Sequence, residues 1–191
     1  MGAPKQFKCA DWGDIDEIEN AQGNPIFKEV AIHWSKPKIW HAGETAPIAE
    51  DEASNCLYCL VRDHHRASTK TRIVYVGITK DGKRRFVHHH VAKELTKKRG
   101  QTSLSIGTVD FGSYWRSQGT RLALEQLEHL LIWALWPELN DRKSYTLPGM
   151  GKNPTKPWHI RNLGYRFSGV MPRELVYPWM LVKPGRDRSA K

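Results

Sequence analysis

Hydrophobic and polar positions follow a strand-like pattern twice in the middle of the chain. The segments are CLYCLV at residues 56–61 and RIVYVGI at residues 72–78, and the polar stretch RDHHRASTKT joins them. Both have the length and composition of short β-strands, so we predict that they pair as a hairpin. In a regular strand Tyr75 would share a face with Ile73 and Gly77. Glycine weakens a strand interior unless a backbone or a ligand approaches closely there.

Helical patterns follow the two predicted strands. Apolar residues recur every four positions in KRRFVHHHVAKELTKK (83–98), as they do along one face of an amphipathic helix. LSIGTV (104–109) predicts a third strand, and RLALEQLEHLLIWALW (121–136) predicts a second helix that is apolar nearly all round and ends at Pro137. The order β-β-α-β-α predicts a small α/β (α+β) fold. We expect an antiparallel sheet of about three strands flanked by helices.

The 191 residues suit one domain with extensions. Residues 55–145 hold the predicted core. Residues 1–54 are expected to form an N-terminal extension and linker, within which NPIFKEVAIHW (24–34) has the pattern of a strand. Residues 146–191 are basic and rich in Gly, Pro and Trp, and are expected to form a C-terminal extension.

Charge is distributed unevenly along the chain, whose net charge is +10. Residues 1–55 carry five more acidic than basic residues, whereas residues 56–99 carry nine more basic than acidic ones. A basic block of this kind predicts a polyanionic partner, most simply nucleic acid. The basic residues that we predict to contact it are Lys70, Arg72, Lys83, Arg84 and Lys143.

Two classes of protein are disfavoured by the apolar pattern. No stretch approaches the ~20 apolar residues that a membrane helix needs. The N-terminus also lacks the apolar run of a signal peptide. We therefore expect an intracellular, cytoplasmic protein without a membrane partner.

Cysteine usage leaves a choice between a zinc site and buried thiols. Cys56 and Cys59 form a C-x-x-C pair, and His64 and His65 lie nearby in sequence. Residues three apart on a strand point to opposite faces, and structural zinc sites usually take a second matched pair of ligands from loops. Buried thiols are therefore the favoured interpretation.

Polar residues on the two predicted helices have the chemistry of a phosphate-handling site. Glu125, Glu128 and His129 lie along one flank of the second helix at i, i+3 and i+4 spacing. Such a flank is either a narrow solvent-facing stripe or a ligand site, because an unpaired buried carboxylate is costly. On the first helix Arg85 and His89 lie four residues apart. An Arg can hold a phosphate through two hydrogen bonds, and a His can accept or relay a proton.

Over about residues 55–145 the chain resembles the GIY-YIG nucleases. Cys56-Leu57-Tyr58 stands where the family often has Gly-Ile-Tyr, and Tyr75-Val76-Gly77 is a standard variant of the second element. The two tyrosines are 17 residues apart, which implies an enlarged hairpin loop. Further residues of the family pattern follow in order and on matching elements: Arg85, His89, Glu125 and Asn140. The C-terminal segment is also similar to that of one branch of GIY-YIG restriction enzymes.

The resemblance implies a metal site on the second helix. Glu125 is expected to bind Mg²⁺ or Mn²⁺, which prefer oxygen ligands, and no organic cofactor is implied. Glu128 is the rival ligand one turn away. Glu125 is preferred because Asn140 follows it by 15 residues, a separation that the family shows. Asn140 is expected to support the metal side of the site.

The resemblance also implies roles for the tyrosines and the first helix. Arg85 is expected to neutralise charge on a phosphoryl oxygen. Tyr58 is the expected general base, and Tyr75 is expected to orient water or the phosphate, although the two tyrosines could exchange roles. His89 is expected to hydrogen-bond a tyrosine.

Together these expectations predict that the protein is a divalent-metal-dependent endonuclease that acts on double-stranded DNA. A sequence-specific restriction role comes first, since the chain has extensions on both sides of the core that could read bases. That role implies two active sites, hence a homodimer or sequential nicking. Repair, mobile-element and toxin nucleases with the same chemistry are alternatives. A non-catalytic module that binds nucleic acid is the alternative from another class.

Overall fold

The computed structural model describes residues 22–23, 27–49, 54–64, 72–112, 120–141, 143, 157–167 and 170–177. Its strands are β1 (Lys28–Trp34), β2 (Lys38–Ile39), β3 (Ser54–Asp63), β4 (Arg72–Asp81), β5 (Gln101–Asp110), β6 (Trp158–Gly164) and β7 (Glu174–Tyr177). Its helices are α1 (Gly82–Val87), α2 (His90–Lys97) and α3 (Thr120–Leu135). None of the described helices is long and apolar enough to cross a membrane.

The described strands form one mixed sheet in the order β4-β3-β5-β1-β6-β7, with β2 paired to β5. The sheet curls into a half-barrel. The expectation of a small antiparallel sheet of about three strands flanked by helices is therefore wrong. Strand β1 pairs antiparallel with β5 and parallel with β6, so it lies in the interior of the sheet.

Burial explains why β1 occupies this interior position. Val30, Ile32 and Trp34 alternate along the strand and are 0%, 0% and 3% exposed, so one face of β1 belongs to the core. The strand predicted within residues 24–34 is thus confirmed, but its neighbours come from distant parts of the chain. The division into a core and two extensions stays a prediction.

The order of elements between β3 and α3 agrees with the predicted order, except that the first helix is broken in two. Asp81 caps α1, because its side chain accepts a hydrogen bond from the Arg84 backbone N–H at 3.1 Å. His89 has an extended backbone and caps α2, because its Nδ1 accepts the Ala92 N–H at 3.2 Å. The helix that begins after the break at His88 and His89 is therefore capped by His89 itself.

The two faces of β3 belong to different cores. Leu57 and Cys59 pack with α3, whereas Cys56 and Tyr58 pack with α1 and α2. Both cysteines are buried on opposite faces of β3, as expected, and form no disulfide among the described residues. Among the described residues no group of three His, Cys, Asp or Glu side chains could hold a metal ion.

A β-bulge in the hairpin changes which face Tyr75 occupies. Leu60 pairs with Tyr75 whereas Val61 pairs with Ile73, so the register shifts by one residue between them. Ile73 belongs to the core on the α3 side, while Tyr75 packs against the core on the α1 and α2 side. The expectation that Tyr75 and Ile73 share a face is therefore wrong, because bulges re-aim side chains.

A buried arginine joins the end of α2 to the start of β5. Arg62 is 3% exposed, and its guanidinium donates to the carbonyl oxygens of Leu95 (2.8 Å), Lys98 (3.4 Å) and Arg99 (2.5 Å) and to Thr102 Oγ1 (2.6 Å). The last carbonyls of a helix have no partner within the helix. Arg62 therefore caps α2 and fixes its position relative to the sheet.

Candidate active site

The hydroxyl of Tyr58 lies at the centre of a buried polar cluster. Its Oη is 2.8 Å from His89 Nε2, and Arg85 Nε donates to it at 3.4 Å. Tyr58 is 0% exposed and projects from β3, while Arg85 comes from α1 and His89 from the break between the helices. The structure thus brings together three residues that are 27 and 31 positions apart in sequence.

Aromatic rings enclose this cluster. The Tyr58 and Tyr75 rings stack with centroids 6.0 Å apart and an interplanar angle of 25°. Phe86 meets the Tyr58 ring edge-on at 4.9 Å and stacks on His89 at 5.9 Å. Offset and edge-on arrangements of this kind are favourable. Tyr75 is only partly buried, so part of its side chain reaches solvent.

The ring of Tyr58 occupies the space that Gly77 leaves open. The two residues are cross-strand neighbours, and a Cβ on residue 77 would lie 2.5 Å from Tyr58 Oη and 2.6 Å from Cζ. Glycine at this position is therefore explained by a side chain of the same protein. As expected from the sequence, another group approaches Gly77 closely. That group is the side chain of Tyr58.

The hydrogen bonds of His89 identify its tautomer. Nδ1 accepts the Ala92 N–H, so the proton of the neutral ring resides on Nε2. Burial and the nearby Arg85 guanidinium lower the pKa of His89 to about 4, so the ring is neutral at pH 7. Nε2–H consequently donates to Tyr58 Oη. In this state His89 supports negative charge on the phenol oxygen and does not accept its proton.

The surroundings of Tyr58 have opposing effects on the pKa of its phenol. Burial raises the pKa of the Tyr58 phenol, and so does the neighbouring Tyr75, whereas the Arg85 guanidinium lowers it. Burial is the largest of these effects, so the phenol is protonated at neutral pH in the free protein. Positive charge brought close to Oη would favour the phenolate.

The lowered pKa of His89 predicts a loss of stability on acidification. Between about pH 6.5 and pH 4 the unfolded chain binds a proton on this imidazole and the folded protein does not. The free energy of unfolding should therefore fall by up to roughly 3 kcal/mol from this group as the pH drops through that range, and be unaffected above it. Urea unfolding at a series of pH values measures the slope.

A matched variant isolates the contribution of His89. In His89→Asn the side-chain oxygen can still cap α2 by accepting the Ala92 N–H, but the titrating ring is gone. We expect the acid-dependent loss of stability to shrink by the same amount in this variant. An unchanged slope would show that other groups cause it.

A cleft of about 730 Å³ opens beside the tyrosine cluster, between the end of β4, α1 and α3. Five cationic side chains line it: Lys80, Arg84, Arg85, Arg121 and Lys143. Three carboxylates also line it: Asp81, Glu125 and Glu128. Arg85 belongs both to the cleft and to the cluster around Tyr58, so it connects the two parts of the site.

The two glutamates of α3 differ in exposure. Glu125 is 44% exposed, and its Oε1 accepts from Arg121 Nε at 2.8 Å. Glu128 is 13% exposed and forms an ion pair with Lys143. Glu125 thus offers a solvent-exposed carboxylate to the cleft, which fits a hard divalent cation that keeps most of its water ligands. Glu128 is more deeply placed and better neutralised.

Asn140 acts on the backbone of the strand that carries Tyr75. Its Oδ1 accepts from Val76 N and its Nδ2 donates to Val76 O, both at 2.8 Å. Leu139 N also donates to Val74 O at 3.0 Å. Asn140 therefore holds the segment after α3 against β4 and positions the strand. The expected role of Asn140 in supporting the metal side stays a prediction.

The basic residues predicted to contact nucleic acid are dispersed over several surfaces. Arg84 and Lys143 line the main cleft, whereas Lys83 lines a second one on α1. Arg72 forms an ion pair with Glu138 at 3.1 Å on the edge of the sheet. Lys70 lies outside the described residues.

Sequence reasoning missed several residues of the site. Phe86, Arg121, Lys80 and Thr79 were not singled out from the sequence, although they help to form the site. The i, i+4 spacing of Arg121 and Glu125 is the one signal that could have identified a member of this group.

Replacing Gly77 by alanine should damage the site more than the fold. The added Cβ would overlap Tyr58, so we expect a cost of about 1–3 kcal/mol in stability and displacement of the phenol. A shift of about 1 Å is enough to reduce catalysis about 10²-fold. Gly107→Ala is the control, because its Cβ would meet the Trp34 ring at 2.9 Å instead. If the activity proposed below for this site were lost equally in the two variants at equal folded fraction, the assignment would be contradicted.

No protein-family model, no curated protein and no solved structure matches this chain.

Proposed function

We propose that this chain is a divalent-metal-dependent endonuclease of the GIY-YIG type, which hydrolyses phosphodiester bonds in double-stranded DNA. The observation that carries the proposal is the placement of Arg85. It donates to the hydroxyl of buried Tyr58 and also lines the basic cleft that contains Glu125. A phosphate bound in this cleft would therefore lie near the Glu125 carboxylate and meet the guanidinium that also holds the buried Tyr58 phenol.

Arg85 and the other cations of the cleft would bind and neutralise the phosphate. A guanidinium can donate two parallel hydrogen bonds to phosphate oxygens. Its charge would be most valuable where negative charge develops in the transition state. Since Arg85 also touches Tyr58, phosphate binding and the position of the phenol would be coupled.

The two tyrosines would handle the proton of the attacking water. Tyr58 Oη receives hydrogen bonds from His89 and Arg85, and both favour its deprotonated form. Burial and the neighbouring Tyr75 raise the pKa of Tyr58, so the phenol keeps its proton until a bound cation favours the phenolate. Tyr75, which reaches solvent, is placed to orient water or to pass the proton on.

Glu125 is the residue that would hold Mg²⁺ or Mn²⁺ in the cleft. The ion supplies Lewis-acid chemistry, polarising the phosphate and assisting the leaving oxygen. Arg121 Nε donates to Oε1 of this carboxylate at 2.8 Å in the free protein, so the ion would compete with the guanidinium for Glu125.

Sequence-specific restriction is the preferred biological role within this chemistry. The basic cleft provides affinity for the DNA backbone, while base reading requires additional surfaces. Strands from before and after the core are part of the same sheet and could carry such surfaces. A restriction role requires two cuts, made either by a homodimer or by sequential nicking.

Incubation with supercoiled plasmid tests the activity. We expect nicked and linear products with Mg²⁺ or Mn²⁺ and none with EDTA. Tyr58→Phe keeps the ring that fills the space beside Gly77 but removes the hydroxyl, so we expect about 10²–10⁴-fold slower cleavage. Sequencing the ends of the products distinguishes restriction, which gives a unique motif, from nuclease roles without one.

Two results of these experiments would contradict the proposed nuclease activity. Tight binding of duplex DNA without cleavage under Mg²⁺, Mn²⁺ or other divalent ions would show a non-catalytic binding module. If Tyr58→Phe cleaved DNA as fast as the wild type, the catalytic residues would lie elsewhere in the protein.

A further inference from the structure

A second cleft of about 660 Å³ lies on the other flank of α1. Arg84 and Arg85 line the main cleft, whereas Lys83, Phe86 and Val87 of the same short helix line the second. Its volume is within the range of about 300–1,000 Å³ that is typical of pockets for small ligands. Nothing in the proposed hydrolysis uses it.

The floor of the second cleft is apolar and fixed. Trp40 is 5% exposed and Phe86 is 2% exposed, and their rings meet edge-on with centroids 5.7 Å apart. Trp40 is held by a hydrogen bond from its Nε1 to the carbonyl oxygen of Glu44 at 3.1 Å. Ala46 and Ile48, which are partly buried against the same core, complete the floor.

The rim of the second cleft is basic. Lys93 and Lys97 are exposed on the same face of α2, four residues apart, and Lys83 faces them from α1. Glu44 is the carboxylate that lines the cleft with them. An apolar floor under three ammonium groups fits a ligand with a flat apolar part and a negative charge.

We propose that this second cleft holds one nucleotide of the bound DNA, with its base on the apolar floor and its phosphate at the lysine rim. The inference rests on the proposed function. Because a helix with side chains is about 10 Å wide, the nucleotide lies about three base steps from the phosphate at Arg85. Proteins that bind unstacked nucleotides combine a basic groove with aromatic side chains, and here the base would meet only the small exposed part of Trp40 and Phe86. A nucleotide held at a distance from the scissile phosphate would contribute to the selection of the DNA sequence that is cut.

Two matched substitutions test whether the cleft contacts DNA. Val87 is 56% exposed at the rim, and Leu122 is 67% exposed on α3 outside both clefts. Each is changed to Glu in a Glu125→Gln background, which prevents cleavage during the measurement. We expect Val87→Glu to weaken binding of a duplex that contains the mapped cut site at least 10-fold, and Leu122→Glu to change it less than twofold. Fluorescence anisotropy gives the dissociation constants.

Crosslinking tests whether a base enters the cleft. The duplex carries 5-iodouracil at one position at a time near the cut and is irradiated with the Glu125→Gln protein. We expect crosslinks to the peptide containing Trp40 or Phe86. They should come from 5-iodouracil placed on one side of the cleaved bond, two to four base steps from it. These crosslinks should disappear in Val87→Glu and persist in Leu122→Glu.

The outcomes separate this inference from the proposed function. If the wild-type protein neither binds nor cuts duplex DNA, both fail together. If it binds and cuts DNA but the two Glu variants behave alike, or if no crosslink reaches either peptide, the inference alone is overturned. A change in the melting temperature of the free protein without a change in DNA affinity would assign the cleft to contacts within the protein, and would also overturn it.

Discussion

Glu125→Gln is expected to reduce DNA cleavage by about 10³-fold or more while leaving the fold and DNA binding intact. Glutamine has the same shape but no charge, so it cannot hold a divalent ion in the way a carboxylate does. Glu125 is 44% exposed and its ion pair with Arg121 is on the surface, so the stability of the protein should change by less than about 1 kcal/mol. Plasmid cleavage over a range of Mg²⁺ concentrations measures the loss.

Glu128→Gln is the matched control for this prediction. It lies one turn along the same helix and lines the same cleft, but it is 13% exposed and paired with Lys143. We expect its effect to appear mainly in thermal stability, with cleavage reduced less than about 10-fold. If Glu128→Gln were the inactive variant and Glu125→Gln the active one, the metal ligand would be Glu128.

Arg62→Met should destabilise the protein by about 3 kcal/mol or more, enough to unfold a marginally stable domain. Methionine fills similar space but removes the donor that the carbonyl groups of Lys98 and Arg99 share, while the Leu95 carbonyl keeps only the Lys98 N–H and the Thr102 hydroxyl. Chemical unfolding monitored by circular dichroism measures the change. Arg62→Lys is the control: it keeps the charge but loses the forked geometry, so we expect an intermediate loss. A wild-type-like midpoint for Arg62→Met would show that water satisfies these groups.

The local elements of the fold were predictable because each is specified by its own residues. The two strands of the hairpin, the third strand and the long helix all have patterns that need no distant partner. The position of β1 was not predictable, because its alternating apolar residues specify a buried face without specifying a neighbour. Its partners β5 and β6 begin 67 and 124 residues after the end of β1. Pairing over such distances depends on the whole sheet.

The site was predictable in its residue types and less so in its contacts. Arg85 and His89 were expected on one helix, and they meet at Tyr58 Oη although the helix is broken between them. The bulge that turns Tyr75 towards Tyr58 has no clear signal in RIVYVGIT, since an inserted residue and a regular strand share the same composition. The backbone role of Asn140 was also missed, because an amide can pair with a peptide group as readily as it can support a metal site.

The amide of Asn140 has a consequence for how copies of this protein can associate. By bonding both the N–H and the C=O of Val76, it completes the outer side of β4 at the point nearest the tyrosines. An exposed strand edge is a template for joining sheets from two molecules. Here that route is blocked by a side chain, so a dimer of this protein would have to form without extending the sheet beside Val76. Strand β4 is protected from intermolecular β-pairing at the same point.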